Sequence, residues 1–264
     1  MKYMHFKASC SYAALAAIME RNGVGTEDFQ IALDIKLPWL FAKEDGAYRA
    51  GPMLQGAKWF DLWLLPRGYR MVEKTVTRGA LCDYLRSHKP AMLGLQTPQG
   101  KHAVVFTEYD GAYRFLNPTR ENSGEPTELT FSEEELLATV GQEPIVGVVS
   151  PTEPEPQSLT PYLEESRSVI RENCAAIEAF AAEQHAPDDY LPAMNSLFRP
   201  LLLDGITMLE LAGEPALARE FTVLQRQFLA FMRGTREEAL RETLSLEKLH
   251  DLTDQYAHLI ERQI

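Results

Sequence analysis

The sequence predicts an α+β fold in its first 150 residues, followed by a wholly helical segment. Three observations carry this. An apolar helical pattern at Ser9–Gly23 opens the chain, and further helical patterns follow it up to Ser87. From Ala91 the apolar period changes from helical to alternating, with an Asp110-Gly111 turn between two runs rich in β-branched and aromatic residues. Residues 151–158, Pro-Thr-Glu-Pro-Glu-Pro-Gln-Ser, then hold the chain extended, and only helical patterns lie beyond them. Helices first and antiparallel strands after them make an α+β layout.

The first helix is apolar on every face from Ala13 to Met19, which predicts burial all round. Arg21 suits the negative end of its dipole, and Asn22-Gly23 supplies residues that tolerate a left-handed cap. Thr26 is placed to cap a short helix to about Ile35, with Glu27 and Asp28 in its first turn. Residues 37–46 read as irregular. Gly51-Pro52 reads as the opening of a helix that puts Gln55, Trp59, Leu62 and Trp63 on one face and stops at Pro66 and Gly68. Tyr69–Thr75 reads as a strand, and Thr77 as the cap of a helix to Ser87 with Leu81, Tyr84 and Leu85 inward. Ala91–Gln96, His102–Tyr109 and Ala112–Leu116 read as three strands, followed by a polar loop to Thr130. Ser132 and Glu135 form a capping box for a helix Glu133–Val140, and Ile145–Val149 is a last strand.

After the linker at 151–160, helices are expected over Thr160–Gln184, over Asp188–Leu211 with breaks at Pro192 and Pro200, and over Pro215–Met232. A fourth is capped by Thr235 and Glu238 and turns Leu240, Leu244, Leu249, Leu252, Tyr256 and Leu259 inward. The organisation is therefore a domain at 1–150, a linker at 151–160 and an α-helical bundle at 161–264. Leu201-Leu202-Leu203 and Phe228–Phe231 are too apolar for a lone bundle of this size. They are expected to pack against residues 1–150 or against a second copy of the chain, which makes a homodimer through the helical domain a candidate assembly.

Charge narrows the partners. The 264 residues are 45% apolar and carry a net charge of −12. Residues 1–150 hold 16 Lys/Arg against 18 Asp/Glu, and residues 151–264 hold 10 against 20. A net −10 in the second part argues against nucleic acid as a partner, since phosphate binding needs a basic surface. No apolar run approaches the roughly 18 residues of a membrane span. Ala8-Ser9-Cys10 resembles a lipoprotein cleavage site, but only nine residues precede the cysteine and the apolar run follows it. The expectation is a cytoplasmic protein without membrane partner. Cys10, Cys82 and Cys174 are too widely spaced for a disulfide framework or a zinc site, and Cys82 and Cys174 fall within helical patterns as core residues. No phosphate-binding loop, dinucleotide fingerprint or His-Glu-x-x-His is present, and Glu133-Glu134-Glu135 is a helix first turn. No cofactor and no metal are expected.

Three residues concentrate the chemistry. Cys10 opens a buried helix, where backbone N–H groups and the dipole favour a thiolate. His102 opens a strand, and Asn117 closes the next strand of the same hairpin, so both fall toward one end of it. A thiol nucleophile needs a base in reach, and the base needs an orienting partner. A Cys-His-Asn triad is geometrically allowed.

On two motifs the chain resembles the papain-like C39-type peptidases: Cys-x-x-x-Ala-Leu near the N-terminus, and Lys101-His102-Ala103-Val104-Val105-Phe106 running on through Asp110-Gly111 to Asn117-Pro118. The resemblance covers about residues 4–150. It implies a papain-like cysteine-peptidase domain with Cys10 as nucleophile, His102 as base and Asn117 as orienter. The chain departs from the family at Met4, where the family carries the glutamine of the oxyanion hole. Loss of one such donor costs roughly 10²–10³ in rate. Adjacent His5 is the candidate replacement, the backbone N–H of Cys10 is another, and loss of activity is the third outcome. Gln96 and Gln99, near the same strands, could reach the site, and exposed loop amides are the more common reading of both.

A papain-like half followed by an acidic helical half also resembles the butirosin-biosynthesis acyltransferase family, through Phe198–Asp204 and Gly213–Ala218. That resemblance implies transfer of an acyl group from a carrier-protein thioester to an amine. The expected function is cysteine-dependent acyl transfer of peptidase or amidase type, with a peptide or acyl-thioester substrate. Carrier-dependent acyl transfer to an amine is the alternative, and a non-catalytic binding module that keeps the fold is the rival of another class.

Overall fold

The computed structural model describes residues 3–7, 9–98, 100–232 and 244–264. It is a mixed α+β chain. In chain order the helices are α1 (Ser11–Arg21), α2 (Asp28–Asp34), α3 (Ala57–Leu64), α4 (Leu81–Ser87), α5 (Glu133–Ala138), α6 (Thr160–Ala182), α7 (Tyr190–Ala193), α8 (Arg199–Leu202), α9 (Gly205–Leu211), α10 (Pro215–Met232) and α11 (Leu246–Glu261). The strands are β1 (Phe41–Glu44), β2 (Ala47–Ala50), β3 (Tyr69–Thr75), β4 (Ala91–Thr97), β5 (Gly100–Tyr109), β6 (Tyr113–Leu116), β7 (Glu128–Phe131) and β8 (Ile145–Pro151).

The chain forms two compact units, Met1–Asp34 with Gln55–Gln157, and Ile35–Leu54 with Ser158–Ile264. The sequence placed residues 35–54 in the N-terminal domain, whereas they cluster with the C-terminal helices. The second unit is therefore not purely helical.

In the first unit a six-stranded antiparallel sheet runs in the order β3-β8-β4-β5-β6-β7. Alternation along β5 sorts its side chains between two layers. Val105 joins Ala14, Ala17 and Ile18 of α1, with Ala103, Met92 and Leu116 beside them. Val104 and Phe106 join Leu81 and Leu85 of α4, Leu136 of α5 and Phe115 of β6. The alanines of α1 carry no bulk, so that helix lies close on the sheet, and every residue from Ser11 to Met19 is buried. Asn22 and Gly23 end it, Gly23 at φ +82°. The Ser132–Glu135 capping box has both of its reciprocal bonds.

Several local readings change. Thr26 does not cap α2; its hydroxyl donates to Glu27 O at 3.4 Å, and the Gln30 side chain accepts the Glu27 N–H at 2.9 Å. Gly51–Met53 is a single 3₁₀ turn, and the helix expected at Gly51-Pro52 begins only after Gly56, whose φ of +94° breaks the path. The loop read through to Thr130 contains edge strand β7, which alternates exposed and half-buried residues and so shows little apolar signal.

The second unit holds the hairpin β1–β2 with α6 to α11. The hairpin turns at Asp45-Gly46, both at positive φ (+50° and +75°), as a two-residue primed turn requires. It replaces the irregular stretch expected there. Phe41 N–H donates to Ser166 Oγ of α6 at 2.8 Å. Leu201, Leu202 and Phe228 are fully buried, and α8 packs on β2, so the apolar run at 201–202 does find residues that precede position 150. Ser245 caps α11 through Lys248 N–H. The expected capping box at Thr235 and Glu238, and Leu240, lie outside the described residues. No helix among the described residues is long and apolar enough to cross a membrane.

Candidate active site

Cys10 is the N-cap residue of α1, and its carbonyl accepts the first helical bond from Ala14 N–H at 2.9 Å. Burial of the helix from Ser11 to Met19 fixes this end, while Cys10 itself stays half-buried. Its sulfur accepts the backbone N–H of Ala103 in β5 at 2.8 Å. Ser9 and Ser11 on either side are buried and bond to each other through Oγ at 2.7 Å.

His102 precedes Ala103 on β5 and also reaches Cys10. Its Nε2 lies 2.6 Å from Asn117 Oδ1, and Asn117 Nδ2 donates to Pro126 O at 2.6 Å. A carbonyl only accepts, so the Pro126 contact places the amide nitrogen there and turns Oδ1 toward the imidazole. Oδ1 also only accepts, so Nε2 carries the proton. Nδ1 is then the ring nitrogen that can accept a proton from the Cys10 thiol. Asn117 is held in turn by its backbone N–H to Thr127 O at 2.8 Å, and it is almost fully buried. The Cys10 thiol beside it holds the His102 pKa above its ordinary value, against the opposing effect of burial, with Asn117 and the charge of Glu125 adding to it. His102 and Asn117 are thus hydrogen-bonded to each other, and Cys10 lies beside them, bonded to the Ala103 N–H next to His102.

Beside Cys10 lies a cleft of about 360 Å³, lined by side chains from α3, β3, β4 and β5 and by the segment entering β8. Gln96 lines it, and Gln99 lies outside the described residues. His5 is not among the lining residues. Its Nδ1 sits 2.5 Å from Asp28 Oδ1, its backbone N–H donates to Asp28 Oδ2 at 2.8 Å, and its ring meets Phe29 edge-on. Asp28 is fully buried and its pKa is raised by desolvation. Met4 N–H pairs with Thr119 O at 2.8 Å, which binds the arm before Cys10 to the segment after Asn117. Trp59 and Trp63 are core residues. A shallower groove of about 730 Å³ in the second unit is lined by charged residues that pair locally, such as Glu214 with Arg262 at 3.7 Å.

Cys82 and Cys174 are buried, and burial raises both thiols, that of Cys174 to about 11. Among the described residues no group of three or more His, Cys, Asp or Glu is placed to hold a metal. Two participants escaped the sequence reading, the Ala103 N–H and the Pro126 carbonyl. Ala103 is legible as the neighbour of His102, whereas backbone groups such as Pro126 O leave no side-chain signal. No family model matches the chain, and no curated protein matches it.

Proposed function

We propose that the protein is a cysteine-dependent acyl-transfer enzyme of papain-like type, with the helical remainder as an accompanying bundle. The observation that carries this is the imidazole of His102, bonded to Asn117 Oδ1 at 2.6 Å and adjacent in β5 to Ala103, whose backbone N–H meets the Cys10 sulfur at 2.8 Å. Nδ1 takes the thiol proton, and the imidazolium keeps Nε2–H on Asn117. The thiolate adds to the substrate carbonyl, whose developing oxyanion is assigned to the backbone N–H of Cys10. The imidazolium protonates the leaving group as the tetrahedral adduct collapses to a thioester. His102 then deprotonates water, or an amine, which attacks the thioester and releases the thiol. With water the reaction is peptidase- or amidase-like, and with an amine it is transfer from a thioester donor such as a carrier protein.

The rival reading, a binding module without catalysis, draws on Met4 at the position where the resembled family carries glutamine. Iodoacetamide labelling near neutral pH separates the two. The enzyme reading expects Cys10 to label well ahead of Cys82 and Cys174 and to lose that advantage in His102→Ala. Equal, slow labelling of all three cysteines refutes it.

A further inference from the structure

We propose that the cleft beside Cys10 binds an unbranched aliphatic acyl chain laid along the sheet face, with Gly94 as the specificity-determining position that keeps the floor open. The proposal rests on the reading of Cys10 as the acyl-accepting nucleophile. It starts from how the lining is sorted by depth. Phe60, Met71 and Pro144 are buried, and Met92, Gly94 and Ala103 are half-buried. The amide and charged lining residues, Gln55, Glu73, Gln96, Lys101 and Glu143, are all exposed. The buried lining hydroxyl, that of Ser11, is engaged by Ser9. An apolar floor with a mouth that is polar apart from exposed Ile145, at the small end of the usual range of ligand sites, suits a slender apolar group.

Gly94 gives that group its place. It pairs directly with Ala103 across β4 and β5, and Ala103 donates its N–H to the Cys10 sulfur. Directly paired residues on one sheet face carry their Cβ atoms about 5 Å apart, so the missing side chain of Gly94 leaves a gap next to the nucleophile. A Cβ built there meets nothing within 4 Å, and the backbone is not in the left-handed region. The other glycines of the lining differ. A Cβ at Gly147 would meet Met71 Sδ at 3.0 Å, and one at Gly141 would meet Gln96 Nε2 at 3.2 Å. Neighbouring side chains therefore already occupy those gaps, while the one at Gly94 is left open. Met71 and Met92 flank the cleft with flexible, polarizable thioethers that mould to a straight chain.

The test uses the full chain and a series of n-alkyl methanethiosulfonates from methyl to hexyl. The Cys10 thiolate attacks the sulfenyl sulfur, forms the mixed disulfide and expels methanesulfinate. Rates at Cys10 are read by peptide mass spectrometry and divided by those of glutathione. Each methylene that enters the cleft raises the rate up to about fourfold, so the hexyl-to-methyl ratio is expected to exceed about tenfold. In Gly94→Val and Gly94→Leu that ratio should collapse to within about twofold of the glutathione value, and Gly94→Ala should fall between. A wild-type ratio no larger than that of glutathione overturns the proposal, as does a ratio unchanged in Gly94→Leu. If Cys10 reacts no faster than Cys82 or Cys174 with any reagent and is indifferent to His102→Ala, the nucleophile reading falls and takes the proposal with it. Selective labelling without chain-length dependence overturns the acyl-chain proposal alone.

Discussion

Replacing Asn117 by alanine removes two hydrogen bonds at once, from His102 Nε2 and to Pro126 O, each 2.6 Å long. A neutral hydrogen bond contributes about 1 kcal/mol net. Pro126 is exposed and His102 half-buried, so water can reach both groups left behind. The expected loss is therefore about 2 kcal/mol, a fall in Tm of roughly 4–8 °C for a domain of this size. The chemical effect is separate. The bond to Oδ1 holds the ring with Nδ1 toward the sulfur, and losing about 1 kcal/mol of orientation lowers the productive ring population about fivefold. Alkylation of Cys10 by iodoacetamide, followed as a second-order rate, should slow by that factor. Asn117→Asp keeps an acceptor for Nε2 but cannot donate to Pro126, so it should recover most of the alkylation rate while its Tm stays low. If Asn117→Ala melts lower yet alkylates at the wild-type rate, the residue only braces the loop, and the orienting role is refuted.

The raised pKa of His102 makes a signed prediction. A base with a raised folded-state pKa contributes stability that is fully present below its unfolded value near 6.5 and is lost as pH rises through the folded value. The Tm gap between wild type and His102→Ala should thus be widest at acid pH and narrow above about 6.5; a gap that widens with pH contradicts this. Asp28→Ala strips the acceptor from the backbone N–H groups of His5 and Phe29, and should cost roughly 2–4 kcal/mol and speed hydrogen exchange at those two amides, while protection equal to wild type would show that the carboxylate does not hold the arm. Ser132→Ala opens the capping box of α5 and should cost about 1 kcal/mol in denaturant unfolding; no change would mean that the helix end is held by other contacts.

Much of the site was legible because its signals are local. Cys10 stands before an unbroken apolar run, and Asp110-Gly111 ties the strands of His102 and Asn117 into one hairpin. The second hairpin has the same Asp-Gly signal at 45–46, but its four-residue strands follow an apolar stretch that hides the alternation. Its partner is Ser166 of α6, 125 residues further on, and no local pattern announces such a contact. The partner of His5 is hidden for a similar reason. Its place next to Met4 suggests the oxyanion, and the structure shows its ring bonded to Asp28, a buried carboxylate 23 residues away. Edge strand β7 was hidden by being half exposed.

The discontinuous second unit sets a timetable for synthesis. Residues 35–54 leave the ribosome early, yet Phe41 bonds to Ser166, and Pro38 O accepts the Tyr256 hydroxyl 218 residues later. At about 5–20 residues per second, the wait between Pro38 and Tyr256 is roughly 10–45 s. Leu37, Trp39, Leu40 and Phe41 are all buried in the finished molecule, but through that interval Phe41 lacks its Ser166 contact and Pro38 lacks Tyr256. The nascent chain therefore carries an apolar segment whose last partners are made long after it, a natural place for a chaperone to hold on.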